Sequence, residues 1–239
     1  MKKSLLVLAV AVAFAPMLAQ AEAGDFVVRL RATHISPDES SSLGATTAAN
    51  YNLATARALY GATTATSAEL RVDSNTIPEI DFSYYITKNI AAELILAVGT
   101  RHDVKITGST ANPATNNPNL GSVNLLPPTL TGQWHFNPDQ TIDPYVGVGL
   151  SYVRAMDNSL NYSNAATTNL PIRVSRNSFG PAFQVGFDYN LENKWLLNFD
   201  VKKIWFDTKV EANTGTGWTK IDQLDVDPWV VSVGFGKKF

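Results

Sequence analysis

LPPTLTGQWHFNPDQTIDPYVGVGLSY, residues 126 to 152, decides the fold. Its first flank alternates: Leu126, Pro128, Leu130, Trp134 and Phe136 share one parity, and Thr129, Thr131, Gln133 and His135 take the other. After the break, Pro144, Val146, Val148, Leu150 and Tyr152 alternate with Asp143, Tyr145, Gly147, Gly149 and Ser151. Period-two patterning puts apolar and polar side chains on opposite faces of an extended chain. Asn137-Pro138-Asp139-Gln140 supplies turn chemistry, so the unit reads as a β-hairpin. Each arm is near the roughly 9–11 residues with which a tilted strand crosses a bilayer.

The same pattern recurs on both sides of the hairpin. Strand one runs from Asp25 to Ile35, with Phe26, Val28, Leu30 and Ala32 opposite Val27, Arg29, Arg31 and Thr33. Strand two covers Glu69 to Ile86, and the tight turn Thr87-Lys88-Asn89 leads into strand three, Ile90 to Thr107. Strands four and five form the hairpin. Strand six spans Arg176 to Tyr189, and a turn from Asn190 to Lys194 leads into strand seven at Trp195. Parity slips near Lys202-Lys203-Ile204-Trp205, which marks a bulge or the membrane boundary. Strand eight ends the chain with Trp229, Val231, Val233, Phe235 and Phe239 on one face.

The connections alternate long and short. Ser36 to Thr66, Gly108 to Gly121, Asp157 to Asn169 and the stretch around Asn213-Thr214-Gly215 read as long polar loops, the first with a short helix over Asn50 to Tyr60. Outer-membrane barrels show this rhythm of long extracellular loops and short periplasmic turns. Eight strands close the sheet and leave no edge unsatisfied in lipid. The expected fold is therefore all-β, an eight-stranded antiparallel transmembrane β-barrel. Tyr84, Trp134, Phe136, Tyr189, Trp195 and Phe239 fall near turn ends, where an interfacial aromatic girdle belongs. A soluble lipocalin-like barrel would need an apolar interior, and glycines and charges on the inward face argue against it.

Met1-Lys2-Lys3, an apolar run from Leu5 to Phe14 and Ala19-Gln20-Ala21 have the three parts of a secretory signal peptide. The expected division is a signal peptide over 1–21, with Ala23 as the alternative cleavage point, and a barrel domain over 22–239. Without Lys2 and Lys3 the 19 basic residues fall to 17 against 21 acidic ones, a net charge near −4 that argues against nucleic acid as a partner. The chain has no cysteine, so disulfides and thiolate metal sites are excluded. His34, His102 and His135 are isolated and offer no clustered ligand spacing, so no metal or other cofactor is expected.

Several fragments taken together resemble the OmpW family of outer-membrane proteins. They are Gly24-Asp25-Phe26 with Arg29, Leu126 to Leu130 with Gln133-Trp134, and Pro144 to Tyr152. Gly180 through Gln184, Gly186, Asp188-Tyr189 and Asp227-Pro228-Trp229 before Phe239 complete the set. GPAFQVGFDY and WLLNFDV look closest to the alkane-import branch typified by AlkL, whereas DVDPWV looks like the general type. The resemblance implies a narrow apolar channel in the outer membrane that admits small hydrophobic molecules and releases them sideways into the membrane. Outer-membrane lipid, lipopolysaccharide and the outer-membrane assembly machinery are then the implied surroundings. The chain departs from the family pattern at Phe179, where Trp is common, and at Lys237, where an apolar residue is common.

Three groups of candidate residues follow. Arg29, Arg31, Glu79, Asp81, Glu93, Asp188, Asp200 and Lys202 face inward toward the periplasmic end, as a structural ion-pair plug or a polar gate. Ile77 and Ile95, inward by parity, and Leu125, at the upper end of strand four, are the expected channel path. Phe179 joins them by resemblance only, since its parity is outward and a bulge at Gly180-Pro181 would be needed. Pro127 and Pro128 remove two ladder donors from strand four, and Pro181 does the same on strand six, so a lateral opening is expected there. Gly147-x-Gly149 and Gly234-x-Gly236 complete no phosphate loop and read as space for close packing. An enzyme would need a catalytic set at the loop roots, where only His34, Ser36, His102 and Asp103 stand, so none is expected. From another functional class, the barrel is a structural or receptor protein whose loops matter more than its lumen.

Overall fold

The computed structural model describes residues 22–50, 68–97, 99–107, 119–164, 167–213, 215 and 217–239. In chain order its elements are β1 (Phe26–Ser36), α1 (Leu43–Asn50), β2 (Glu69–Val72), β3 (Asn75–Tyr85), β4 (Ile90–Ala97), β5 (Thr100–Thr107), β6 (Asn119–Leu126) and β7 (Thr129–His135). There follow β8 (Ile142–Asp157), β9 (Ser159–Asn164), β10 (Thr167–Val174), β11 (Asn177–Asn190), β12 (Trp195–Ile204), β13 (Asp207–Asn213), β14 (Trp218–Asp225) and β15 (Trp229–Lys238). No described helix is long and apolar enough to cross a membrane.

Eight strands make the wall. Going round it, β1 pairs with β3, β3 with β4, β4 with β7, β7 with β8, β8 with β11, β11 with β12, β12 with β15, and β15 with β1. Every pairing is antiparallel and the ring closes, as a lipid-embedded sheet requires. Alternation holds along it: Val27, Arg29, Arg31 and Thr33 of β1 are buried in the lumen, whereas Phe26, Leu30 and Ala32 are exposed outside. The outer face carries two aromatic rings of residues. Tyr84, Trp134, Phe136, Tyr189, Trp195 and Phe239 are exposed at the turn end, and Phe179, Trp205 and Trp229 at the other.

Small residues let the ring close around a filled lumen. A Cβ on Gly149 would collide with the Leu130 carbonyl oxygen of β7, and one on Gly234 with the Leu30 carbonyl oxygen of β1. These are backbone contacts that no side-chain rearrangement relieves.

The strands that continue past the wall form an outer collar. β8 outruns β7 and passes to β6, which pairs with β5, which pairs with β2. β14, β13, β10 and β9 form a second sheet above it. The outward face of β5 carries Arg101, Asp103 and Lys105, so this part stands clear of the hydrocarbon layer. The expected strand two is thus two elements, β2 and β3. Strand three also divides, into β4 and β5, next to Gly99, whose φ of +79° suits glycine. The segment Asp157 to Asn169, expected as a loop, is largely the β9–β10 ladder. The helix expected over Asn50 to Tyr60 lies outside the described residues apart from Asn50, the last residue of α1. Near Lys202 the β11–β12 register runs on unbroken to Ala182↔Ile204. No bulge therefore stands at the parity slip: Lys203 lies under the Trp229 ring, 4.9 Å from its centroid, and bonds Asp38 and the Asp227 carbonyl.

Candidate functional site

The lumen is divided by a belt of charge. Arg29 of β1 reaches Asp188 of β11 twice, Nε to Oδ1 at 3.2 Å and Nη2 to Oδ2 at 2.6 Å. Its Nη1 donates to Asp81 at 3.1 Å and Ser83 at 2.6 Å. Arg31, two residues along the same inward face, meets Glu79 at 3.2 Å, Asp81 at 3.0 Å and Glu93 at 2.9 Å. Lys202 donates to Asp200 at 2.7 Å, and the Tyr145 hydroxyl donates to the other Asp200 oxygen at 2.9 Å. All eight residues expected from parity are buried and ion-paired. Bidentate and charge-assisted contacts on this scale hold neighbouring strands in register, because breaking one buried pair costs about 3–5 kcal/mol.

Neutral polar residues complete the belt. Glu93 Oε2 accepts from Gln133 and Gln184, both at 2.8 Å, and from Thr131 at 3.2 Å. Below it His135 packs between Tyr85 and Tyr145 in tilted contacts, with ring centroids 5.0 Å from each, and bonds Asp143 at 2.7 Å. A small apolar floor of Val27, Tyr85, Ala91 and Leu196 lies at this end. The charge is therefore central rather than terminal. His135, Asp143 and Asp188 bring ligand atoms within 4.8 Å of one another, a spacing a metal ion could use. Asp188 is already committed to Arg29, however, and Asp143 to His135 and the Asn137 amide.

Above the belt the lumen is apolar. A cavity of about 60 Å³ is lined mainly by aliphatic side chains, among them Ile35, Ile95, Ala97, Leu125, Ile204 and Val230. A second cavity of about 50 Å³ stands beside it in the collar and shares Val72, Leu125, Val153, Phe206 and Val226 with it. Leu43 at the start of α1 is fully buried in the same apolar cluster. Asp222 holds that segment, accepting from Ser41 Oγ at 2.5 Å, the Ser42 amide at 2.9 Å and Ser42 Oγ at 2.8 Å.

The wall beside the lower cavity is interrupted. The β4–β7 ladder ends at Ile95↔Thr129, and pairing resumes in β5–β6 at Thr100↔Leu125. Pro127 and Pro128 fall in the gap. Pro128 remains attached to β8, its carbonyl accepting the Tyr152 amide at 2.9 Å. On the β4 side no ladder pair is formed between these two positions among the described residues, and Pro127 lines the cavity. Two prolines in succession have no N–H to offer a neighbouring strand, which is the physical origin of the gap.

The remaining expected positions fall differently. Ile95 and Leu125 line the cavity; Ile77 is buried in the lumen but stands outside that lining. Phe179 does not face the lumen. It is 71% exposed on the outer face and packs on Tyr152 with ring centroids 4.8 Å apart. The bulge it would need is absent, since the β8–β11 register is continuous from Asn177↔Arg154 to Tyr189↔Ile142. The same continuity removes Pro181 from the opening: it pairs in register with Leu150, and its carbonyl accepts the Trp205 amide at 3.0 Å. His34 bonds Thr76 and His102 bonds the Asp73 carbonyl, so the loop-root histidines have separate partners.

A closed eight-strand wall with an apolar outer belt, aromatic girdles and an ion-paired interior defines a bacterial outer-membrane β-barrel. Residues 22–239 match the model of the OmpW family, and the chain belongs to it. Outer membrane protein W of Vibrio cholerae is 32% identical over 244 residues, covering both chains completely. Outer membrane protein AlkL of Ectopseudomonas oleovorans is 30% identical over 168 residues, 70% of this chain and 68% of that one. The crystal structure of OprG from Pseudomonas aeruginosa superposes with a TM-score of 0.73 at 30% identity, covering 93% of this chain and 99% of that one.

Proposed function

We propose that this barrel is a channel for passive uptake of small hydrophobic molecules across the outer membrane. Solutes leave the lumen sideways, between β4 and β7, into the outer leaflet. One observation carries the reading: Pro127 lines the apolar cavity and also borders the interrupted ladder. Downward passage is opposed by the ion-paired belt, which an apolar solute would have to disrupt pair by pair. The belt is a plug in this account, and surrounding lipid and lipopolysaccharide receive the cargo. The larger lining groups leave room for only a few water-sized occupants, at roughly 10–15 Å³ each. Transport therefore involves widening of the cavity as the solute enters.

Growth on a hydrophobic carbon source, compared between cells with and without the gene, tests the proposal. Faster growth with the gene, matched by faster initial uptake of the labelled solute, is the expected result. Equal growth and equal uptake would leave the barrel as a structural or receptor protein acting through its collar.

A further inference from the structure

The apolar cavity above the plug ends on two charged groups with unused bonding capacity. Of its 18 described lining residues only Glu79 and Lys202 bear a formal charge at neutral pH, because burial pushes His102 toward its neutral form. An ammonium has three N–H donors. Lys202 uses one, on Asp200 at 2.7 Å, and the others have no partner among the described residues. Glu79 takes Arg31 on Oε1 at 3.2 Å, and its Oε2 has no partner among the described residues. A spare donor and a spare acceptor thus meet the same otherwise apolar chamber, in a setting where unpaired polar groups are costly.

Charge balance selects what can use them. A solute carboxylate would meet Glu79 directly. A solute ammonium would meet Lys202 directly. A pure hydrocarbon would leave both spare groups unpaired. A hydroxyl accepts from Lys202 and donates to Glu79 with no change in net charge.

We infer that the preferred cargo is a neutral amphiphile, an aliphatic molecule with one terminal hydroxyl. It sits head-down on Lys202 and Glu79 with its tail along Ile95, Leu125 and Ile204. This rests on the channel reading above and narrows it to a substrate class.

The test uses intact cells making the full chain, with vector-only cells as the baseline. Initial uptake of labelled octane, 1-octanol and octanoate is measured, and the protein-dependent increment is taken for each. The octanol increment is expected to exceed the other two severalfold. In Lys202→Met/Asp200→Asn, which removes the ammonium with its counter-ion, and in Glu79→Gln, the octanol increment is expected to fall to that of octane. Heat-modifiable migration on gels shows which variants have folded; should neither fold, the ratio of the three increments in the unaltered protein decides. An octane increment equal to that of octanol overturns the inference and leaves the channel intact. An octanoate increment above that of octanol overturns it as well. No increment for any of the three overturns the channel reading, and the inference falls with it.

Discussion

Replacing Arg29 with Met strips four hydrogen bonds from the centre of the barrel: two to Asp188, one to Asp81 and one to Ser83. The two carboxylates do not suffer equally. Asp81 keeps its 3.0 Å contact with Arg31 Nε. Asp188 keeps only neutral help, the Asn198 amide at 2.7 Å. The main loss is therefore one buried carboxylate left without its cation, which costs about 3–5 kcal/mol. Adding Asp188→Asn removes the orphaned charge, so Arg29→Met/Asp188→Asn should recover most of that loss. Reversible urea unfolding of the refolded barrel in lipid, followed by tryptophan fluorescence, measures both variants, with an unchanged m-value confirming a common transition. A single variant within about 0.5 kcal/mol of the parent, the range of ordinary surface changes, would refute the reasoning. So would a double variant no more stable than the single one.

Three further outcomes are expected. Gly149→Ala places a Cβ against the Leu130 carbonyl oxygen, and the protein should lose its heat-modifiable folded band, whereas Gly132→Ala, whose Cβ would meet only the Val148 carbonyl oxygen at 4.0 Å, should keep it. Ile95→Trp fills the cavity and should bring apolar uptake down to the vector level, while Phe179→Ala, altered only on the outer face, should leave uptake unchanged. Burial lowers the pKa of His102 in the collar, so the unfolded chain binds more protons there than the native one. Stability should therefore fall as pH drops through the unfolded value of about 6.5, and His102→Gln should flatten that slope in unfolding titrations at pH 5 to 8.

Much of this architecture is written in period-two patterning. Parity alone placed Arg29, Arg31, Glu79, Asp81, Glu93, Asp188, Asp200 and Lys202 in the lumen, and the structure ion-pairs all eight. The double proline likewise marked the gap, because the missing N–H groups are a property of the residues themselves. Phe179 went astray where family resemblance was set above parity: its outward position was the correct reading. Pro181 shows the converse limit. A proline on the outer face of β11 keeps its register, and only the pairing of its neighbours reveals that no gap forms.

The collar was harder to see. Ser159 to Val174 is rich in Asn, Ser and Thr and reads as loop by composition. Yet Leu160 and Tyr162, then Leu170, Ile172 and Val174, repeat with period two, and all five are buried. That signal was present but short, and it becomes meaningful only when β9, β10 and β13 pair above the membrane. The neutral partners Gln133, Gln184 and Tyr145 were also missed as site residues. Inward polarity was visible for them, but their value depends on Glu93 and Asp200 arriving from other strands.

The lateral exit is tested most directly by closing the gap covalently. Continuing the β4–β7 register beyond Ile95↔Thr129 would set Ala97 against Pro127, and the chain has no native cysteine to interfere. In Ala97→Cys/Pro127→Cys, apolar uptake should be lost on oxidation and restored by dithiothreitol. An oxidised barrel with the gel mobility of the folded form and undiminished uptake would contradict the account.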